Sequence, residues 1–273
     1  QINTLGIYMF KEEIIRILIE FFSPKGILEK DDEKSAAKEG FPPFEGWVYN
    51  NGPELITFQL NGINFFADTL GQKTGFFLDQ RINALTAKNY ASGKSVLDAF
   101  TYTGNFGVHT LAGGAKHVTF MDYSERALSV LSEVLAANKF DKSRYEIVNC
   151  NSFDMLRKFD DDGRKFDFTI IDPPSMTKSR DTKNSASKGY KELNLRAMKI
   201  TRNGGLLSTS SCTQLVYDDE FKNIIYSAAE DTKRVLSLLY KGGQGPDHPD
   251  IMNILETDYL KNYLFRVEEL KHF

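Results

Sequence analysis

The sequence has little cysteine and no long hydrophobic run. Two cysteines in 273 residues cannot build the disulfide framework on which small secreted domains depend. No apolar stretch approaches the roughly 20 residues needed to cross a bilayer, and the opening residues lack the pattern of a signal peptide. The four histidines are scattered, and none is spaced with a cysteine as a zinc ligand would be. We therefore expect a soluble, cytoplasmic protein without a bound metal.

An excess of positive charge is also missing. The formal net charge of -3 at pH 7 argues against a surface that is basic overall, so any contact with nucleic acid would have to be local. One local candidate is segment 178–202, where eight basic residues stand against Asp181 and Glu192. The basic residues are Lys178, Arg180, Lys183, Lys188, Lys191, Arg196, Lys199 and Arg202. The segment is either a solvated helix face or a contact for an RNA backbone, and both remain open.

The first third of the chain predicts a small mixed domain. Residues 11–22 space their apolar side chains at intervals of three and four, which predicts an amphipathic helix. Residues 29–46 are charged and rich in turn formers, and they predict a loop region. The pair Asn61-Gly62 between two β-rich runs predicts a hairpin with a type I′ turn. We place a small N-terminal domain of α+β type, containing this hairpin, over residues 1–85.

Residues 86–273 change to alternating strands and helices. Short apolar runs occur at 96–100, 117–122, 145–150, 166–172 and 206–210, with helical segments between them. This alternation predicts an α/β domain with an open, mostly parallel sheet and helices on both faces. The later runs "RVLSLLY" and "YLFRVEEL" would complete the sheet at one edge. Ligands in such sheets bind at the carboxyl ends of the strands, so we expect the functional residues there.

The first of these strands lacks a dinucleotide fingerprint. It runs into "LDAFTYTGNFG", which does not contain the Gly-x-Gly-x-x-Gly spacing that brings a pyrophosphate against a helix N-terminus. Asp98 stands at the strand end, and Tyr102, Thr103 and Gly104 form the turn that follows. An acid before a small-residue turn suits a ligand with an ammonium group and no phosphate. S-adenosylmethionine is such a ligand.

The next two strand ends favour a nucleoside. Asp122 is placed to accept hydrogen bonds from the ribose hydroxyls of NAD or of S-adenosylmethionine, although it could instead cap the helix that starts near Ser124. Asn151 and Ser152 follow the third strand, where Asn151 could bond the edge of an adenine. The preceding Cys150 is expected to belong to the core.

The fourth and fifth strand ends carry candidate catalytic groups. Asp172 opens "DPPS", in which two prolines restrict the backbone and hold the carboxyl group beside the cleft. Enzymes that methylate exocyclic amines usually have an aromatic residue after this motif, and Ser175 stands there instead. Cys212 follows the fifth strand. A buried cysteine is by default structural, but a thiolate beside an acid suits methylation of carbon 5 of a cytosine, which requires prior attack at carbon 6.

Six motifs together resemble one known family. The motifs "GQKTGFFLDQR", "LDAFTYTGNFG", "IIDPPS", "ASKGYKELNLRAM", "SSCTQ" and "DHPD" occur in this order from about residue 30 to the end. They are similar to those of bacterial RlmI-like enzymes, which use S-adenosylmethionine to make 5-methylcytosine in large-subunit ribosomal RNA. The resemblance implies a Rossmann-like class I methyltransferase domain after a small β-rich domain, with Cys212 as the nucleophile. It also implies that Gln80 and Arg81 lie near the cofactor, although Asp79 in the same motif could be a helix cap.

The chain departs from the family pattern in three places. Family members usually carry an N-terminal PUA domain that binds RNA, and this chain is too short at that end to contain one. Asn151 replaces a common acid, and Thr213 replaces a common serine; both keep hydrogen-bonding capacity. His248 of "DHPD" is either structural or on the substrate side. A homodimer remains one possible oligomeric state.

Three other functions remain open at this stage. An RNA guanine or adenine amine methyltransferase would need Asp172 but not Cys212. A cofactor-binding RNA module would bind S-adenosylmethionine and transfer nothing. An NAD-dependent oxidoreductase is the least favoured of the three, because the dinucleotide fingerprint is missing.

Overall fold

A computed structural model describes residues 1–71, 74–177 and 180–270 of the chain. The chain divides into two compact units, one formed by residues 1–58 with 66–76 and the other by residues 59–65 with 77–273. The boundary expected from the sequence, between residues 85 and 86, falls within the helix Arg81–Tyr90, which lies wholly in the second unit.

The first unit is built from short elements. Its helices and strands are α1 (Leu5–Met9), α2 (Lys11–Phe22), β1 (Ile27–Lys30), α3 (Glu33–Glu39) and β2 (Glu45–Tyr49). Strands β1 and β2 pair antiparallel, with Lys30 opposite Glu45. The amphipathic helix predicted over residues 11–22 is confirmed by α2.

The prediction of a loop over residues 29–46 is wrong, because the segment contains α3. The side chain of Asp32 accepts a hydrogen bond from the Ser35 backbone N–H at 2.9 Å and caps the start of this helix. Gly40, with a φ of +82°, ends it in the left-handed conformation. A seven-residue helix that buries only Ala36 has too few apolar positions to show a helical period.

The predicted β-hairpin is confirmed. It consists of β3 (Leu55–Leu60) and β4 (Ile63–Asp68), which form a two-stranded sheet. Asn61 and Gly62 join the strands with φ values of +52° and +77°. These positive values are the ones that a type I′ turn requires at both central residues.

The second unit contains a seven-stranded sheet within the described residues. Its strands are β5 (Ser95–Ala99), β6 (His117–Asp122), β7 (Tyr145–Asn149), β8 (Phe166–Ile171), β9 (Thr201–Ser211), β10 (Arg234–Gly242) and β11 (Lys261–Glu269). They lie in the order β10-β11-β9-β8-β5-β6-β7. The strands from β5 to β9 are parallel, and β11 pairs antiparallel with both β9 and β10. The predicted parallel sheet, with the two late strands at one edge, is confirmed.

Helices alternate with these strands. They are α4 (Arg81–Tyr90), α5 (Asn105–Ala112), α6 (Glu125–Ala137), α7 (Ser152–Asp161), α8 (Lys183–Ile200) and α9 (Asp218–Thr232). The central strands are buried on both faces, which explains their continuous apolar runs: Leu97, Phe120 and Phe168 have no exposed side-chain surface. In the described part of the chain, no helix combines the length and the apolar character needed to cross a bilayer.

This topology places the candidate residues. The carboxyl ends of β5, β6, β7, β8 and β9 lie along one edge of the sheet, because these strands run parallel. The last residues of these strands and the segments that follow them carry the acids, the asparagine and the cysteine that the sequence singled out.

Candidate cofactor and catalytic site

The turn after β5 has an unusual backbone conformation. Phe100 and Tyr102 have φ values of +63° and +50°, and Gly104 has +92°. A left-handed conformation costs a non-glycine residue about 1–2 kcal/mol, and such strain is found most often at ligand sites and active sites. Thr103, between Tyr102 and Gly104, is buried. The turn is therefore held in a conformation that its own residues do not favour.

Asp98 helps to hold this turn. Its side chain is 1% exposed, and Oδ2 accepts hydrogen bonds from Thr101 Oγ1 at 2.5 Å and from the Gly107 N–H at 2.8 Å. Burial raises the pKa of Asp98 to about 7, although both hydrogen bonds oppose the rise. Asp98 therefore organises the turn, and its contact with an ammonium group stays a prediction.

Asp122 joins two strand ends. One carboxylate oxygen accepts from the Tyr102 N–H and the other from the Ser124 N–H, both at 2.9 Å. The helix cap is Ser124 itself, whose Oγ accepts from the Ala127 N–H at 3.2 Å. The capping role considered for Asp122 is therefore wrong. Asp122 ties the end of β6 to the strained turn, and its contact with a ribose stays a prediction.

The segment that follows β7 packs against the turn after β5. Asn151 caps α7 by accepting from the Phe153 N–H at 2.9 Å, and Ser152 is the first residue of that helix. The ring of Phe153 packs edge-on against Phe100 of the turn, with 5.9 Å between ring centroids. Cys150 packs against the buried core, as expected, and burial raises the pKa of its thiol.

Gln80 connects the segment before α4 to the "DPPS" segment. Its Nε2 donates to Asp172 Oδ1 at 2.7 Å, and its Oε1 accepts from Asn83 Nδ2, also at 2.7 Å. Burial raises the pKa of Asp172 to about 7, with the negative charge of Asp79 as the next cause and the Gln80 hydrogen bond opposing it. Asp172 can therefore carry a proton near neutral pH.

Arg81 joins two of the family motifs. Its guanidinium group pairs with Asp247 at 3.1 Å, and the Gly245 N–H donates to the Asp79 backbone oxygen at 3.0 Å. Helix α4 has no side-chain cap, and Asp79 accepts instead from the Tyr259 hydroxyl at 2.8 Å. The interpretation of Asp79 as a helix cap is therefore wrong. Arg81 positions the 243–250 segment, and its contact with the cofactor stays a prediction.

Cys212 lies beside the "DPPS" segment. It directly follows β9, which pairs in parallel with β8 so that Thr209 lies opposite Ile171, the residue before Asp172. The partly exposed Cys212 has its Sγ 3.9 Å from the Pro173 carbonyl oxygen. The fold thus brings together a thiol and an acid that are 40 residues apart in the sequence.

Thr213 fixes the backbone next to this thiol. Its hydroxyl group is 2.6 Å from the Tyr190 hydroxyl and 3.3 Å from Ser175 Oγ. Tyr190, from the motif "ASKGYKELNLRAM", is buried, and this burial raises its pKa to about 12. The sequence assigned Tyr190 no role, although its motif was among the six.

Lys261 was also missed. It begins β11 and is only 4% exposed, and its Nζ donates to the backbone oxygens of Thr213 at 2.8 Å and Tyr259 at 2.9 Å. Burial lowers the pKa of Lys261 to about 8. The one available signal was a lysine beside the apolar run of a strand in "YLKNYLF". The described residues offer no cluster of three or more groups suited to a metal ion.

The basic segment 178–202 is largely ion-paired. Within the described residues, Lys183 pairs with Glu220, Lys191 with Asp231, Arg196 with Asp160, and Arg202 with Asp167, at 2.6–2.8 Å. These pairs favour the solvated helix face over the RNA contact. Lys178 and the side chain of Arg180 lie outside the described part of the segment.

The sheet order and the polar groups along its carboxyl edge define a Rossmann-like α/β domain with a candidate ligand site at that edge. The chain belongs to the S-adenosylmethionine-dependent methyltransferase family, whose model matches residues 43–266. The expected fold class and cofactor, and the expectation of a methyltransferase, are thereby confirmed.

Its relatives include two enzymes named Ribosomal RNA large subunit methyltransferase I. The one from Aliivibrio fischeri is 38% identical over 269 residues, and the one from Alteromonas mediterranea is 34% identical over 270 residues. In each case the match covers 98% of this chain and 68% of the relative. This chain thus spans about two thirds of the length of these relatives.

Solved structures give the same fold. The protein in the crystal structure of SMU.776 complexed with SAH is 25% identical, with a TM-score of 0.82 over 95% of this chain and 66% of that chain. A tRNA m1G37 methyltransferase of M. jannaschii, 16% identical with a TM-score of 0.67 over 98% of this chain and 71% of that one, shares the fold alone.

The residues along the carboxyl edge of the sheet fit S-adenosylmethionine. The buried Oδ1 atoms of Asp79 and Asn105 have no hydrogen-bond partner among the described residues. Buried acceptors of this kind are costly to leave unpaired, and an ammonium group or hydroxyl groups of a ligand could satisfy them. Asn105 follows the strained turn directly, and Asp79 is close enough to Asp172 to affect its pKa.

Proposed function

We propose that this protein methylates carbon 5 of a cytosine in large-subunit ribosomal RNA through a covalent adduct on Cys212. The names of its relatives support the RNA substrate. The observation that carries the chemistry is the place of Cys212, whose Sγ lies 3.9 Å from the carbonyl oxygen of the residue after Asp172.

A nucleophile is needed because carbon 5 of cytosine is unreactive toward a methyl donor. The thiolate of Cys212 adds to carbon 6, forming the S–C6 bond and moving the electron pair of the ring double bond toward carbon 5. Carbon 5 then has the character of an enamine. After methylation, a water molecule takes the carbon 5 proton, the electron pair of that C–H bond re-forms the ring double bond, and the S–C6 bond breaks so that sulfur leaves as thiolate. Any proton given to ring nitrogen 3 returns to Asp172.

Asp172 is suited to stabilise this adduct. When sulfur adds to carbon 6, negative charge develops at ring nitrogen 3, and a protonated carboxyl group can donate a hydrogen bond or its proton there. The pKa of Asp172, raised to about 7 by burial, leaves a large protonated fraction at neutral pH. Gln80 binds Oδ1 and fixes the carboxyl plane, and Pro173 and Pro174 restrict the backbone that follows.

The cofactor would be held along the carboxyl edge of the sheet. Bound there, S-adenosylmethionine supplies the electrophilic methyl group. The residues that we assign to its binding are Gln80, Arg81, Asp98, Tyr102, Thr103, Gly104, Asp122, Asn151, Ser152 and Asp172. Their carboxylates suit its ammonium and ribose hydroxyl groups, and Asn151 suits the edge of its adenine.

The test compares Cys212→Ala with Cys150→Ala, which makes the same change at the other cysteine. Methyl transfer from labelled S-adenosylmethionine to large-subunit ribosomal RNA is measured, and the product nucleoside is identified. We expect 5-methylcytidine from the wild type, a loss of at least about 10³-fold in rate for Cys212→Ala, and nearly full activity for Cys150→Ala. Calorimetry should show that both variants still bind the cofactor.

Three results would refute the proposal. Full activity of Cys212→Ala would make this thiol dispensable. A product methylated on an exocyclic amine of guanine or adenine would favour the rival function, in which Asp172 acts without a nucleophile. Cofactor binding by a wild-type protein that methylates no RNA would favour the non-catalytic module.

A further inference from the structure

Lys261 is a buried cation without a carboxylate partner among the described residues. Lysine is almost never fully buried unless it is paired, because removing an ammonium group from water is costly. Lys261 is 4% exposed, and among the described residues its Nζ has no carboxylate within 4.0 Å and only two hydrogen-bond partners, the backbone oxygens of Thr213 and Tyr259. An ammonium group has three donors. The carbonyl oxygens do not balance its charge.

The fold places this cation next to Cys212. Strands β11 and β9 pair so that Lys261 lies opposite Ser211, the residue before Cys212. Its Nζ then reaches the carbonyl oxygen of Thr213, the residue after Cys212, at 2.8 Å. Lys261 therefore contacts the short backbone segment that carries the thiol.

Electrostatics agrees with this geometry. Burial lowers the pKa of Lys261, and the charges of Asp258 and Cys212 are the largest effects that oppose the decrease. The coupling is mutual, so a protonated Lys261 must favour the thiolate of Cys212 by the same free energy. The negative charges of Asp218 and Glu220 also raise the pKa of Lys261. The charge of Cys212 raises the pKa of Tyr190 and of Tyr259.

We propose that Lys261 is a positioning residue that stabilises the thiolate of Cys212 with its buried ammonium group and holds the segment after the thiol through Thr213. The thiol proton passes to solvent, and Lys261 remains protonated throughout. This inference rests on the proposed function, because it gives the nucleophile its counter-charge. It adds a residue from the last strand of the sheet to the catalytic region.

The test measures the thiol directly, without RNA. The full chain is alkylated with iodoacetamide over a range of pH, and peptides with Cys212 and Cys150 are quantified separately by mass spectrometry. In the wild type we expect the midpoint of Cys212 alkylation to lie below the ordinary thiol value of about 8.5. Cys150 serves as an internal control in every sample.

Two substitutions separate charge from structure. We expect Lys261→Met to raise the midpoint by about one pH unit, which is about a tenfold lower rate at pH 7, and Lys261→Arg to restore most of the shift. Lys158→Met, at an exposed position on α7, should change neither cysteine. Circular dichroism and cofactor binding establish that each variant is folded.

Two results would overturn the inference, and a third separates it from the proposed function. A midpoint that Lys261→Met leaves unchanged while the rate rises at every pH would mean that Lys261 only closes the segment over the thiol. A wild-type midpoint at or above 8.5 would overturn it even if the variants failed to fold. If Lys261→Met shifts the midpoint but Cys212→Ala still methylates RNA at full rate, the coupling stands and the proposed function fails.

Discussion

Replacing Asp172 with asparagine should remove a pH-dependent cost of folding. The pKa of this carboxyl group rises from 3.8 to about 7 in the folded protein, chiefly through burial. The folded state therefore holds the proton more tightly than the unfolded state does. The stabilising effect of this proton is complete below pH 4 and is lost as the pH rises through 7. Asp172→Asn cannot ionise and retains an oxygen that can accept from Gln80.

The size of the effect follows from the shift. Each pKa unit corresponds to 1.36 kcal/mol, so a rise of roughly three units makes the ionised form about 4 kcal/mol less stable in the folded protein. At pH 5 Asp172 is mostly ionised in the unfolded chain, so roughly 1.5 kcal/mol of this unfolding free energy is already lost at that pH. Between pH 5 and pH 8.5, the wild type should therefore lose about 2–3 kcal/mol of unfolding free energy relative to Asp172→Asn.

Urea denaturation of both proteins at pH 5 and pH 8.5 measures this difference. Asp219→Asn is the control, because that side chain is 95% exposed and the same change there should leave the pH dependence unaltered. A stability difference between wild type and Asp172→Asn that is equal at the two pH values would refute the reasoning. Asp172 would then be ionised in the folded protein, and it could not act as the proton donor to ring nitrogen 3.

Two further predictions concern the cofactor region. Gly107→Ala places a Cβ 2.2 Å from Phe120 Cε1, so we expect a loss of about 2–3 kcal/mol in unfolding free energy and weaker cofactor binding. The control is Gly93→Ala, where φ is +72° and the added Cβ meets no other atom within 4 Å. This control should lose about 1 kcal/mol of unfolding free energy and leave cofactor binding unchanged. Thermal unfolding and calorimetry measure both, and equal effects would contradict the steric argument. Asp122→Asn should lower the affinity for S-adenosylmethionine about tenfold, since it removes the charged acceptor that we propose for the ribose. An unchanged affinity by calorimetry would remove Asp122 from the proposed cofactor site.

The sheet could be predicted from the sequence because its physics is local. Strands buried on both faces need continuous apolar runs, and the hairpin needs two residues that tolerate positive φ; both patterns are visible without the fold. Helix α3 could not be predicted in this way, because it buries only Ala36 and so has no apolar period. Its start depends on one side-chain cap by Asp32, a signal that also occurs in many loops.

The proposed catalytic region was only partly predictable, for a different reason. Asp172 and Cys212 could be found because each follows a recognisable strand, and the ends of parallel strands meet at one edge. Lys261 could not, because its role depends on a contact with Thr213, 48 residues earlier. The sequence around a lysine does not show whether tertiary structure will bury it. The internal roles of Asp98 and Asp122 were hidden for the same reason.

Burial shifts the pKa values of Asp172 and Lys261 in opposite directions. It raises the pKa of the Asp172 acid to about 7 and lowers that of the Lys261 ammonium group to about 8. Withdrawal from water always disfavours the charged form, so burial moves the pKa of an acid up and that of an amine down, both toward pH 7. The proposed chemistry needs a proton on Asp172 and a positive charge on Lys261 while the thiol of Cys212 is ionised. Near pH 7 all three conditions can hold together. Lys261 is still largely protonated and favours the thiolate of Cys212, and about half of the Asp172 carboxyl groups keep their proton.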